Sequence, residues 1–96
     1  MNDFAVSVNF DVKSGQELAF MEEMKKQAKN SLTLEPDCHY FDICVSPDDP
    51  GVVLLYELYT DAAAFDAHLA SDHFVQFNET VAPMIAQRVI TTWKKI

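Results

Sequence analysis

The sequence predicts an α+β domain whose antiparallel sheet carries helices on one face, and three observations support this. Phe4, Val6, Val8, Phe10 and Val12 alternate with mostly polar residues, the period-two spacing of a strand with one buried face. The run Val52 to Tyr59 reads Val-Val-Leu-Leu-Tyr-Glu-Leu-Tyr and is apolar at both parities, as in a strand covered on both sides. Between and after these stretches, apolar residues recur at spacings of three and four, the pattern of helices with one buried stripe.

Composition bounds the rest. The chain has 96 residues, 49% of them hydrophobic, and a net charge of −8. Residues 1–96 are expected to form one domain with enough apolar surface to fold. The acidic balance excludes a phosphate-neutralising nucleic-acid binder and an anionic-membrane binder. No apolar run is long enough to span a bilayer. Met1-Asn2-Asp3-Phe4 has no basic region, so no secretory leader is expected. Cys38 and Cys44 fall on one predicted strand, by alternation on the same face and ~20 Å apart. That is too far for a disulfide, and reduced thiols in the cytoplasm are expected. No ligand cluster with metal spacing is present, so no metal is expected.

The elements follow in order. Phe4 to Val12 is the first strand. Ser14-Gly15-Gln16-Glu17 reads as a capping box, with Ser14 as the cap and Glu17 reaching back to it. The helix that follows places Leu18, Met21, Met24, Ala28 and Leu32 on one stripe, as core or as an adaptable binding groove. Glu22 and Lys26 form an i,i+4 pair. Glu35-Pro36-Asp37 ends the helix, because a residue before proline avoids the α region. Cys38 to Ser46 is the second strand, Pro47 to Gly51 a turn, and Val52 to Tyr59 the third strand. Thr60 or Asp61 starts a short helix holding Phe65 and Leu69. Ser71-Asp72 restarts the chain into a helix with Phe74, Phe77 and Val81, which Pro83 ends. Gln87 to Lys95 is the last strand. This order is the split βαβ, ferredoxin-like pattern. Val53, Leu55 and Tyr59 fall on one parity of the third strand and Leu54, Tyr56 and Leu58 on the other, so an apolar face remains that one copy of the chain does not cover, and a second copy is expected there, sheet against sheet, in a two-fold homodimer.

Several residues have types suited to chemistry. His68 and His73 lie near the breaks of the second helical region and suit general acid–base work; the alternative is that they cap helix ends or sit half-exposed. Glu57 stands in an apolar strand, where a carboxylate must be paired or protonated. It is a second acid/base, a group orienting a histidine, or half of an ion pair with Arg88 or a lysine, within the chain or across the dimer. Tyr56 and Tyr59 are pocket walls or core, and at most one of them shares the face of Glu57. Phe74 and Phe77 lie on one helical stripe, as core or aromatic pocket wall. Asn9 and Trp93 are expected near the interface. No Ser-His-Asp arrangement, phosphate loop, or flavin or nicotinamide fingerprint is present, and no cofactor is expected.

The stretch Tyr56-Glu57-Leu58-Tyr59-Thr60-Asp61, followed by Ala64-Phe65, His68-Leu69 and Ser71-Asp72-His73-Phe74, resembles the antibiotic biosynthesis monooxygenase family of dimeric α+β barrels. The resemblance implies a dimer, a pocket between the sheet and the broken helix, and a small-molecule substrate. Polyketide-oxidising members carry Asn and Trp where Leu55 and Tyr59 align. Haem-degrading members use a helix Trp and a haem-ligating His, and those positions hold His68 and Asn78, while their strand-one Asn falls at Val8; haem is disfavoured. The branch that isomerises phosphorylated autoinducer-2 looks closest, sharing Phe41-Asp42, the Tyr-Glu-x-Tyr run and both histidines. Its phosphate calls for a cationic ligand, and Arg88 is the one arginine. The resemblance therefore implies a cofactor-independent monooxygenase of a small quinol-like or enolisable molecule, with the isomerase and a non-catalytic binding module as alternatives. His68, His73 and Glu57 are the candidate catalytic residues; Tyr56, Tyr59, Phe74, Phe77 and Arg88 are the candidate substrate contacts.

Overall fold

The computed structural model describes residues 3–96; Met1 and Asn2, half of the stretch read for a leader, lie outside them. Its elements are β1 (Phe4–Val12), α1 (Glu17–Leu34), β2 (Cys38–Val45), β3 (Val52–Tyr59), α2 (Ala62–Ala70), α3 (Asp72–Val81), a 3₁₀ turn (Ala82–Met84) and β4 (Ile85–Lys94). The four strands form one antiparallel sheet in the order β2-β3-β1-β4. This is the α+β ferredoxin-like arrangement that the element order predicts. No helix among the described residues is long and apolar enough to cross a membrane.

Period-two alternation builds the core. Val6, Val8 and Phe10 of β1 and Val53, Leu55 and Tyr59 of β3 turn toward the helices and are buried. They meet Phe20 and Met24 of α1 and Phe77 and Val81 of α3 in one cluster. The opposite parity of β3 is also apolar, as the sequence indicates. Val52 and Leu54 remain exposed there, beside Tyr40, Val89 and Trp93. Trp93 donates Nε1–H to Ser7 Oγ at 3.0 Å, and Tyr40 meets Tyr56 edge-on.

The face of α1 differs from the expected stripe. Phe20, Met24, Gln27, Ala28 and Ser31 point inward, whereas Leu18 is 85% exposed and Leu32 is 46% exposed. The reason is bulk. Phe20 packs edge-on against Phe10, with ring centroids 5.1 Å apart, and seating that ring rotates Leu18, two residues earlier, onto the far side of the helix. The lysine pairing also moves by one residue: Lys26 Nζ meets Glu23 Oε1 at 3.3 Å rather than Glu22.

The expected capping box is replaced by a glycine turn. Helix α1 begins at Glu17 with Gln16 as its cap residue, and no side chain caps it. Glu17 Oε1 instead accepts from Gly15 N at 2.8 Å. Gly15 sits at φ +89°, a left-handed conformation open to glycine without strain, and this turn displaces Ser14 from the cap. The two later helices are capped as the sequence implies. Asp61 Oδ1 accepts from Ala64 N at 2.8 Å. Ser71 Oγ accepts from Phe74 N at 3.3 Å and donates to His68 O at 2.7 Å.

Cys38 and Cys44 do not share a face. Cys38 pairs with Tyr59 and Tyr40 with Leu58, so the ladder shifts between them. The extra residue in this bulge reverses the parity of the strand beyond it. Cys38 is buried and Cys44 exposed, both as free thiols. Burial pushes the Cys38 thiol up to about 11, helped by the nearby charges of Glu35 and Glu57. Strand β4 begins at Ile85 rather than Gln87 and ends at Lys94, with a register shift opposite Asp11 and Val12.

Candidate active site

The broken helix α2–α3 lies over the sheet, and between them is a narrow apolar cavity of about 30 Å³, room for one or two waters. Val8 and Phe10 of β1, Leu55 and Glu57 of β3 and Phe41 of β2 form its floor. Met24 and Gln27 of α1 close one side, and Phe65, His68, Leu69, Phe74 and Phe77 form the roof. Arg88 and Ile90 stand at the β4 edge, where both side chains are exposed.

His68 is the centre of the site. The α2 turn that Ser71 terminates carries it into the core, where it is 3% exposed. Aromatic rings surround it: Phe74 at 4.8 Å, Tyr59 at 5.4 Å, Phe65 stacked at 6.0 Å and Phe41 at 6.5 Å between centroids. Its Nδ1 lies 2.9 Å from Glu35 Oε2 and 3.2 Å from Oε1. A carboxylate only accepts, so Nδ1 carries the hydrogen and the neutral ring keeps its lone pair on Nε2. Burial lowers the proton affinity of His68, and hydrogen bonding to Glu35 and its charge partly restore it.

Glu35 is fixed by the corner between α1 and β2. The following Pro36 forces it out of the helical region, to φ −114° and ψ 102°. Its backbone N–H still reaches Ser31 O at 3.2 Å, and its carbonyl accepts from Cys38 N at 3.0 Å. The corner is tied to β3 by Asp37, whose Oδ1 accepts from Thr60 Oγ1 at 2.8 Å.

His73 approaches the same carboxylate from α3, with Nε2 2.8 Å from Glu35 Oε2, although the angle falls outside that of a hydrogen bond. On its other side Gln27 Nε2 lies 3.2 Å from His73 Nδ1 and donates to Ser31 Oγ at 3.2 Å. Gln27 and Ser31 are both buried. His73 opens onto a second, polar cleft between α1 and α3, lined also by Lys26, Asn30, Gln76 and Thr80. No three His, Cys, Asp or Glu side chains among the described residues are arranged to hold a metal ion.

Glu57 is 2% exposed and its carboxylate accepts from Tyr59 Oη at 2.6 Å. Burial raises its pKa to about 7, Tyr59 opposes the rise, and the charge of Glu35 adds to it. Burial also raises the Tyr59 phenol, as does the carboxylate beside it.

Of the residues singled out from sequence, Glu57, His68, Phe74, Phe77 and Arg88 come together around the cavity. Three stand apart. His73 touches Glu35 and Gln27 and lines the outer cleft. Tyr59 lies behind Glu57 in the core. Tyr56 belongs to the opposite parity of β3, pairing with Ser7 and Asp42 on the outer face. The ion pair considered between Glu57 and Arg88 is absent: Arg88 Nη1 donates to Asn78 Oδ1 at 2.7 Å, and Glu57 takes the hydroxyl that shares its face.

Sequence reasoning missed Glu35, Gln27 and Ser31. One signal was available for Glu35. A carboxylate at a helix C-terminus opposes the helix dipole, and a locally unfavourable choice marks a residue placed for another purpose.

The comparisons agree with this architecture. The family model for antibiotic biosynthesis monooxygenase matches residues 3–80. A solved structure from Nitrosomonas europaea, named for antibiotic biosynthesis monooxygenase, is 29% identical with a TM-score of 0.93, over 98% of this chain and 90% of that one. A protein of Methanosarcina mazei Go1 is 22% identical with a TM-score of 0.91, over 100% of this chain and 95% of that one. A Caulobacter crescentus CB15 structure, also named for this monooxygenase, is 22% identical with a TM-score of 0.93, over 99% and 91%. At that identity the last two bear on the fold alone. No curated protein matches the sequence. With its fold shared throughout and the family model covering most of its length, the chain belongs to the antibiotic biosynthesis monooxygenase family.

Proposed function

We propose that this protein is a cofactor-independent monooxygenase of a small quinol-like or enolisable molecule, with His68 as its general base. The observation that carries this reading is a histidine walled by aromatic rings on a narrow apolar cavity, with its ring lone pair on Nε2. Burial keeps it uncharged near neutrality, the form that accepts a proton. His68 Nε2 takes the hydroxyl proton of the substrate. The resulting anion passes one electron to O₂, giving a substrate radical and superoxide. These combine through a new C–O bond to a peroxide. The peroxide anion takes the proton back from His68; loss of water then breaks its O–O bond and the C–H bond at the same carbon, leaving one oxygen atom as the product carbonyl and the other in the water. Glu57, its pKa raised by burial to about 7, is the second acid/base of the cavity and carries that C–H proton to the departing hydroxide. Phe74 and Phe77 hold the ring, and Arg88 stands at the mouth.

The working unit is one domain over residues 1–96 acting as a cytoplasmic homodimer, in which the face carrying Leu54, Tyr56 and Trp93 meets its copy. The exposure of that apolar face supports this.

An oxygen electrode tests the reading. Cofactor-free protein mixed with a panel of quinols and polyphenols consumes O₂, and His68→Asn abolishes the uptake. A flat trace across the panel, with ligands still binding, overturns the oxygenase in favour of a binding module. Arg88 at the cavity mouth favours one second reading, an isomerase of a phosphorylated dicarbonyl molecule. Proton exchange next to a substrate carbonyl, lost in Arg88→Ala and independent of O₂, would select it.

A further inference from the structure

We propose that Glu35 is the positioning residue of this site, one carboxylate bracketed by two imidazoles, and that His73 acts on Glu35 from outside the cavity instead of acting on substrate. The inference rests on the reading of His68 as the base and assigns what aims it. Glu35 Oε2 lies 2.9 Å from His68 Nδ1 and 2.8 Å from His73 Nε2. A buried imidazole can present either nitrogen, and the hydrogen bond made by one decides what the other offers. With Nδ1–H committed to Glu35, only Nε2 is left to face a substrate hydroxyl.

The outer half of the network brings His73 against the same carboxylate, at contact distance but off the hydrogen-bond angle. Gln27 Nε2 lies 3.2 Å from His73 Nδ1 and 3.2 Å from Ser31 Oγ. Gln27 Oε1 also lies 3.5 Å from His73 Nδ1, but the amide nitrogen is nearer; an amide N–H on Nδ1 requires a lone pair there, which puts the ring hydrogen on Nε2, toward Glu35. The two rings thus adopt opposite tautomers about one carboxylate. This accounts for two polar residues buried on the core face of α1, and for an acid at the wrong end of a helix dipole.

The chemistry balances. When the substrate O–H bond breaks, an N–H bond forms at His68 Nε2 and the ring becomes an imidazolium. The pair His68–Glu35 passes from a charge of −1 to zero, so the carboxylate stabilises the cation without itself taking the proton. The groups facing His68 are Glu35, Glu57 and Tyr59 of β3 and His73 of α3, and Cys38 of β2 lies near Glu35.

The test is ¹H–¹⁵N correlation of the histidine rings in the full-length protein without substrate. At pH 7.5, His68 is expected with its hydrogen on Nδ1 and His73 with its hydrogen on Nε2. Either ring in the opposite tautomer overturns the proposal. Glu35→Gln should move the His68 titration to lower pH, whereas Glu35→Asp restores most of it; an unmoved titration overturns the proposal. If Glu35→Gln does not fold, His73→Gln, which disturbs the outer half alone, should mix the His68 tautomers, and an unchanged spectrum overturns it. On any substrate turned over, Glu35→Gln should lower kcat about 10- to 100-fold with little change in KM and shift the acidic limb of the pH profile down. The ring spectra need no turnover, so an inert quinol panel with these tautomers present sinks the oxygenase and leaves the positioning role standing.

Discussion

Tyr59 donates its hydroxyl hydrogen to Glu57 Oε1 at 2.6 Å, two residues back along the same strand, and both side chains are buried. The bond favours the ionised carboxylate and so opposes the rise that burial imposes. In Tyr59→Phe the pKa of Glu57 should climb above about 7, and stability should fall by about 1–3 kcal/mol where the carboxylate is charged. Carboxyl ¹³C titration and urea unfolding measure the two effects. A pKa that stays or drops would show that Tyr59 does not support the charge.

Glu57 also makes stability depend on pH with a definite sign. Its folded pKa of about 7 stands above the reference 4.5, so the folded chain binds this proton more tightly than the unfolded one. Stability is therefore lost as pH rises from about 4.5 through about 7. Glu57→Gln removes that loss. The stability difference between variant and wild type should shift in favour of the variant by up to about 3 kcal/mol between pH 5 and pH 8. Parallel urea curves at the two pH values would count against a strained carboxylate.

His68 and His73 should separate in mutagenesis. On the proposed function, His68→Asn removes the base and should cost 10²- to 10⁴-fold in turnover, on the order of general base catalysis. His73→Asn disturbs only the outer contact with Glu35 and should cost far less. Equal losses in steady-state kinetics would return His73 to the chemistry. Because burial lowers the folded pKa of His68, its contribution to stability is retained above the unfolded value near 6.5 and lost as pH falls through the folded one.

The rotated face of α1 sets two substitutions against each other. Phe20 is fully buried against Phe10, so Phe20→Ala should cost about 3–5 kcal/mol. Leu18 is exposed, so Leu18→Ala should stay within about 0.5 kcal/mol. Chemical denaturation of the pair decides which stripe is the core.

The outer sheet face yields a solution test. Leu54→Glu places a charge in the middle of the apolar β3 face and should convert a dimer to monomer in sedimentation velocity at micromolar concentration. Wild-type protein that sediments as a monomer under the same conditions would remove the dimer altogether.

How much of this was legible in the sequence depended on the physics of each element. Alternation in β1 and the doubly apolar β3 fixed the sheet, because side-chain parity in a strand tolerates no drift. The same rule failed for Cys38 and Cys44, where one bulged residue undid the parity. Helix α1 was harder. Leu18, Met21, Met24, Ala28 and Leu32 make a plausible stripe; Met24 and Ala28 are buried and Met21 packs on the core, while the size of Phe20 against Phe10 turns Leu18 and Leu32 outward. In the site, the type of His68 announced itself. Glu35 and Gln27 acquire meaning from residues more than thirty positions away, across α2 and α3, and no local pattern reports such a distance.

One hydroxyl, that of Ser71, both closes α2 and opens α3. The two short helices of the roof are thereby joined through one side chain, above a space that fits a water or two. A ring-sized molecule is larger than that space, so on the proposed function its binding requires roof and floor to move apart.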